Sequence, residues 1–295
     1  MLCGWTKAGT RPDFQIVTGV STGALTGTCA FLGPKYDDTL KRMYTTYSDA
    51  DIARPNPPLF SVLMGESMAS NKPLARILDE MITMDILNAV ADEHAKGRRF
   101  YVATTNLDAK RPVVWDMGRI ASVRTPEALS FYKKVILASA AIPIVFPPEM
   151  FKVEHGVDEY EELHVDGGIS TQVFGYSIAR EYITGASEKG EVFVIRNGYI
   201  VSSPKPVVPN LAAIGGESIN GLIDAQAAGD LIRLLAFCKK DGVGYHATFI
   251  PAEFSAPRKS EFDTNYMNAL FDFGYELAAS GKEWEAMEKL MSEYR

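Results

Sequence analysis

The sequence predicts an α/β protein, and three observations carry the prediction. Short β-branched and aromatic runs alternate with segments of helical periodicity along the whole chain. The 295 residues are 46% hydrophobic and 23% charged, the proportions of an ordinary globular protein with a large core. The first strand-like run also leads straight through a glycine-rich turn into a helix of small residues, "IVTGVSTGAL" at 16–25.

Each element follows from local signals. "MLCGWTKAGT" reads as the last turn of a helix, with Gly9 as its C-cap and Pro12 beyond it. A chain opening on a helix end is expected to have lost earlier sequence. Phe14–Thr18 is a short apolar strand, and Thr22–Leu32 a helix ending at Gly33. Asp37–Tyr47 is helical, with Leu40, Met43, Tyr44 and Tyr47 on one face. Residues 53–64, "ARPNPPLFSVLM", form a proline-broken loop. Helices follow over Lys72–Glu80 and Asp85–Lys96, the second stopped by Gly97. "RRFYVATTN" is a buried strand, and "PVVWDM" a second one paired with it. Pro126–Ala140 is a helix with Thr125 as N-cap, closed before Pro143. "LHVDGG" and "EVFVIRNG" are two more strands. A helical region with glycine interruptions covers Leu211–Lys240, "YHATFIPA" is a last strand, and Asn265–Ser280 a last long helix. No repeat or linker interrupts the order, so residues 1–295 read as one domain whose 256–295 portion is a helical C-terminal segment.

Composition excludes several functions. The net charge is −7 and no basic run reaches five residues, which argues against a nucleic-acid surface. The same sign means that any membrane contact has to be apolar. Cys3, Cys29 and Cys238 are too scattered for a disulfide framework or metal cluster, and read as buried, reduced thiols. No secretory signal opens the chain and no apolar stretch is long enough to span a bilayer.

The chemistry centres on Ser21, the middle of a Gly-x-Ser-x-Gly turn with Gly19 and Gly23 on either side. In such an elbow the serine takes a sparsely populated backbone conformation, so its neighbours must be small. The following helix then aims its N-terminal dipole at the hydroxyl. The competing reading is a glycine-rich bend without chemistry. A base is needed for the first reading. His94 and His155 read as solvated, His164 shares a strand with Asp166, and His246 reads as packed or hydrogen-bonded. A Ser21–Asp166–His246 triad is disfavoured because α/β-hydrolases place several strands before the elbow. Asp166 itself ends an apolar strand and precedes Gly167 and Gly168, which let another backbone approach. Burial would raise its pKa, and reach of Ser21 would make it a local base. Taken alone, Asp166-Gly167 reads more simply as a turn.

Taken together and in order, Gly-x-Ser-x-Gly, "ASAAIPIVFPP" at 138–148 and "VDGG" at 165–168 resemble the patatin-like phospholipase family. "TTNLDAKRPVVWDMG" at 104–118 and "FDTNYMNALFDFGYELA" at 262–278 are similar to its bacterial members. The resemblance implies a three-layer α/β/α fold around a central mixed, mostly parallel sheet. It implies a serine acyl hydrolase that cleaves lipid or small acyl esters through an acyl-enzyme, with no metal or organic cofactor. Ser21 would be the nucleophile and Asp166 the general base, with Gly19 and Gly23 in the elbow and Gly167 and Gly168 in the Asp-Gly-Gly motif. Pro143, Pro147 and Pro148 would shape a turn beside the pocket.

The family also carries a glycine-rich oxyanion loop upstream of its elbow, which is absent from this sequence. Weak activity or none is therefore expected, either because the chain is an incomplete hydrolase, the favoured reading, or because it is a short binding form. Gly215-Gly216 is a conceivable substitute donor, but reads more simply as a helix-interrupting turn. The apolar loop at 53–64 reads first as packing between helices and second as a peripheral membrane rim.

Overall fold

The computed structural model describes residues 1–52, 54–55, 67, 69–155, 158–184, 190–200, 206–251, 253–260 and 262–284. Most of the 53–64 loop lies outside these. The chain opens with α1 (Leu2–Ala8), closed by Gly9 in the left-handed conformation at φ 75°. Strand β1 (Ile16–Val20) starts two residues later than predicted, so extended backbone runs right up to Ser21. Helix α2 (Thr22–Leu32) follows at once and is buried almost all round. Its Gly27 is what allows that depth, since a Cβ there would sit 2.6 Å from the Phe100 ring.

Helices α3 (Asp37–Thr45), α4 (Lys72–Met81) and α5 (Met84–Ala95) come next. They lead to β2 (Arg99–Asn106) and β3 (Arg111–Asp116). After a short α6 (Met117–Ala121), Thr125 caps α7 (Pro126–Ser139) by accepting the Ala128 N–H, as its Thr-Pro start predicts. The remainder is β4 (Glu149–His155), β5 (Asp158–Asp166), α8 (Tyr176–Thr184), β6 (Glu191–Ile195), α9 (Leu211–Asp241), β7 (Gly244–Thr248) and α10 (Thr264–Ala279).

Strand β2 organises the main sheet. One of its edges pairs antiparallel with β3, from Tyr101↔Asp116 to Asn106↔Arg111. Its other edge is shared: β1 lies parallel from Ile16↔Arg99 to Val20↔Ala103, then β5 takes over antiparallel at Thr104↔Asp166. Strand β4 completes the sheet as a hairpin with β5, and β6 and β7 form a separate parallel pair. The sheet is mixed, but β1–β2 is its one parallel pairing among the described residues, fewer than a mostly parallel sheet would have. The short β2–β3 and β4–β5 connections explain this, because only antiparallel neighbours can be joined so briefly. Helices α2, α5, α6 and α7 pack against β2 and enclose the main core, which includes Phe31, Leu87, Phe100, Val102, Tyr132 and Ile136.

Four of these elements differ from expectation. Strand β4 was not foreseen, and His155 lies at its end rather than in a polar loop. Its charged alternation, "EMFKVEH", suits a hairpin at a sheet margin but lacks the apolar run that announces a buried strand. Helices α6 and α8 were also missed. The Leu211–Lys240 region is one continuous helix, α9, that runs through Gly215-Gly216 without a turn. Their backbone is therefore helical and not a loop of free donors.

Candidate active site

The exchange of partners along β2 decides which residues meet. β1 runs with β2 and ends at Val20, opposite Ala103; β5 runs against β2 and ends at Asp166, opposite Thr104. The ends of two strands therefore converge on adjacent positions of one edge. Ser21 is the first residue past one end and Asp166 the last residue of the other.

Ser21 has φ 55° and ψ −128°, a region sparsely populated by residues with a side chain. Holding it there costs on the order of 1–3 kcal/mol, which the surroundings must supply. Serine at a helix N-cap ordinarily accepts a hydrogen bond from the first turn, but the Ser21 hydroxyl makes no such bond to α2. Capping therefore does not explain this serine. Gly19 is required by the turn, because a Cβ there would collide with the Gly23 carbonyl. Gly23 is different: a Cβ on it meets nothing within 4 Å, so the expectation that both glycines avoid clashes holds only for Gly19.

Asp166 is 1% exposed. Burial pushes its pKa up from 3.8 to about 6, against the opposing pull of the Ser21 hydroxyl and the Gly168 N–H. Its Oδ1 accepts the Gly168 N–H at 2.7 Å, whereas the buried Oδ2 closes no hydrogen bond of ordinary geometry. The close approach of another backbone foreseen for Gly167 and Gly168 is met at Gly167, whereas at Gly168 the neighbour is a side chain. A Cβ on Gly167 would collide with the Ala103 carbonyl, and one on Gly168 with the Gln172 amide.

Two buried hydroxyls tie these chain ends down. Ser139, the last residue of α7 and fully buried, accepts the Ser21 N–H at 3.0 Å and donates to the Ala103 carbonyl at 2.7 Å. Thr105 donates to the Asp166 carbonyl at 2.9 Å and lies 2.8 Å from the Ser170 hydroxyl. The sequence singled out neither residue, although Ser139 lies inside the quoted "ASAAIPIVFPP". Thr105 could not be found from its own strand, since its partner is 61 residues away.

The histidines are occupied elsewhere. His164 shares the strand with Asp166 as expected, two residues before it, but its ring is fully buried against Trp115 and Phe151. Trp115 Nε1–H donates to Thr104 Oγ1 at 2.8 Å. That leaves the Thr104 hydrogen for His164 Nδ1 at 2.8 Å, and His164 Nε2–H for Glu162 at 3.2 Å. Burial also lowers the His164 pKa, consistent with a neutral ring of this tautomer. His246 bonds Glu191 at 2.7 Å and stacks on Phe193, so it packs as expected. His94 is not simply solvated: its ring abuts Gly118, 3.8 Å from Asp116. His155 has no described side chain.

Ser21 also lines a small apolar cleft of about 80 Å³, partly open to solvent. Leu25, Tyr44, Ile77, Phe146, Phe262 and Met267 contribute to its walls. Tyr44 is fixed there by its hydroxyl, which donates to the Thr22 carbonyl at 2.8 Å and lies 2.7 Å from Thr26 Oγ1. Ala140, Ile142 and Phe146 bring the proline-rich turn to the cleft, as the resemblance implied for Pro143, Pro147 and Pro148. In that turn Ile144 is held at φ 72°, an outlier for a β-branched residue. Trp115, by contrast, is core against Phe131 and Phe151. Among the described residues, no three His, Cys, Asp or Glu side chains gather into a metal-binding set. No described helix is long and apolar enough to cross a membrane.

Fold and site together define an α/β protein with a serine on a strained strand-to-helix elbow beside a buried carboxyl. A family model of the patatin-like phospholipases matches residues 1–174, and the chain belongs to that family. Its members act on lipids, and lipid acyl hydrolysis is the activity that membership suggests. No curated protein matches the chain. The matched span contains Ser21, Asp166, Ser139 and Thr105; Phe262 and Met267 of the cleft lie beyond it.

Proposed function

We propose that this chain is a serine acyl hydrolase, with Ser21 as nucleophile and Asp166 as general base, acting on acyl esters of lipids. The observation that carries the reading is an uncapped serine, strained at φ 55°, at the wall of an apolar cleft and next to a carboxyl whose burial lifts its pKa to about 6. A carboxyl of that pKa is mostly ionised at neutral pH and is a stronger base than an exposed one.

In this mechanism the Ser21 hydroxyl attacks the ester carbonyl carbon while Asp166 accepts its proton, with Oδ2 as the unused acceptor. The tetrahedral oxyanion is met by the positive end of α2, where the Thr22 N–H is a first-turn donor; the family's glycine-rich loop is absent from this sequence, so these donors act without it and turnover is expected to be weak. Asp166 then protonates the leaving alcohol, and an acyl-Ser21 ester remains. Water attacks that ester, gives its proton to Asp166, and releases the acid as the proton returns to Ser21. The acyl chain occupies the cleft, whose walls offer apolar contact and few polar groups that would discriminate among alcohols.

The test uses a fluorophosphonate probe and p-nitrophenyl butyrate. Ser21 displaces fluoride from the probe, so wild-type protein is labelled and Ser21→Ala is not. Asp166→Asn is expected to abolish turnover while the protein stays folded, and His246→Ala to leave turnover intact. Rates should rise with pH through about 6 as Asp166 loses its proton. Equal labelling of Ser21→Ala would overturn the reading.

A further inference from the structure

Between Val20↔Ala103 and Thr104↔Asp166 the edge of β2 passes from one partner strand to another. A buried ladder interrupted in this way leaves backbone groups that must find other partners. The Ser21 N–H and the Ala103 carbonyl are two such groups, and a single hydroxyl serves both. Ser139 Oγ accepts from the first at 3.0 Å and donates to the second at 2.7 Å. A hydroxyl has one hydrogen to give, so once that hydrogen is on Ala103 the oxygen can only accept from Ser21. Ser139 is fully buried, so water does not compete for either bond.

We propose that Ser139 is a positioning residue for Ser21: its hydroxyl stands in for the missing rung, holds the amide of the strained serine, and thereby aims the Ser21 side chain at Asp166. The proposal rests on the reading of Ser21 as nucleophile. Strained backbone persists only where several contacts over-determine it. Gly19 removes a clash at this turn, but Ser139 supplies the polar tie, anchoring Ser21 to the strand whose next position faces Asp166. Thr105 makes the corresponding tie at the far side of the gap, on the Asp166 carbonyl. The distance between nucleophile and base is then set by two hydroxyls bonded to backbone, neither of which touches substrate.

The experiment compares wild type, Ser139→Ala, Ser139→Thr and Ser21→Ala. It measures kcat and KM on p-nitrophenyl butyrate, the fluorophosphonate labelling rate, and hydrogen exchange of the Ser21 amide. Thermal denaturation confirms that each variant is folded. Ser139→Ala is expected to lower kcat and the labelling rate about 10²-fold, the effect of a misplaced reacting group, with KM nearly unchanged. Its Ser21 amide should exchange faster, and Ser139→Thr, which keeps the hydroxyl, should restore most of the loss. Wild-type kcat and wild-type exchange in Ser139→Ala, with Ser21→Ala inactive, would overturn the role of Ser139 alone. So would a loss that Ser139→Thr fails to restore in a folded protein. Retained turnover in Ser21→Ala would instead overturn the nucleophile reading, and the amide measurement separates the two failures because it does not require Ser21 to react.

Discussion

Asp166 shows how one buried atom pair links chemistry to stability. A carboxyl whose folded pKa is raised binds its proton more tightly in the folded state than in the unfolded one. Its ionisation therefore opposes folding. The penalty is complete above about pH 6 and fades as pH falls toward 3.8; for a shift of this size it is about 3 kcal/mol. Asp166→Asn keeps an oxygen for the Gly168 N–H and removes the charge, so it should stabilise the protein at pH 8 by an amount that shrinks between pH 6 and pH 4. Urea unfolding at several pH values checks this. The glycines of the elbow give a second contrast at the same scale. Gly19→Ala should destabilise by about 2 kcal/mol or more, since its Cβ meets backbone that cannot yield. Gly23→Ala should be neutral or stabilising, because its Cβ enters open space in a helix that favours alanine. Equal losses at the two positions would show that the turn, and not the Gly23 carbonyl, dictates both glycines.

At the scale of elements, what the sequence disclosed follows from how local each signal is. The elbow was legible because strand, turn and helix lie within ten consecutive residues, and α7 because Thr125-Pro126 is a start signal in itself. Asp166 became a candidate base through the company of other segments, since Asp-Gly alone is equally a turn. Strand β4 was hidden because its side chains alternate charge with bulk, and α9 seemed broken because its glycines are tolerated in a helix held by packing at its other half. Ser139 and Thr105 were illegible as individuals, their partners being 118 and 61 residues away. A glycine outside the site makes an element-scale prediction. Gly4 of α1 lies so close to α10 that a Cβ would collide with the Tyr275 carbonyl. Gly4→Ala should therefore lower stability by about 2 kcal/mol while leaving p-nitrophenyl butyrate turnover at the same temperature unchanged. A neutral stability effect would mean that the two helices can slide apart without loss.

At the scale of the whole molecule, the cleft gathers Ser21, Tyr44, Ile77, Phe146, Phe262 and Met267 from positions spread over nearly the full chain. Ser21 and Asp166 fall inside the span shared with the family, whereas Phe262 and Met267 come from beyond it. Under the proposed function, reactivity and chain selectivity would be carried by different parts of the polypeptide. Phe262→Ala should shift preference toward longer acyl chains by about tenfold in relative kcat/KM, and leave butyrate turnover near wild type. A series of p-nitrophenyl esters from acetate to palmitate reads this directly, and a uniform drop across the series would show that Phe262 supports the fold and not the selection.

The contact of α1 with α10 has a consequence for how the protein is made. Trp5 of α1 has Phe14 close by in the chain, but its contact with Trp284 and the seat of Gly4 against Tyr275 form only after about 270 further residues have been added. At about 5–20 residues per second, the apolar side of α1 waits tens of seconds outside the ribosome before its mate is translated. Over that interval the nascent chain offers a greasy strip to chaperones and to neighbouring nascent chains.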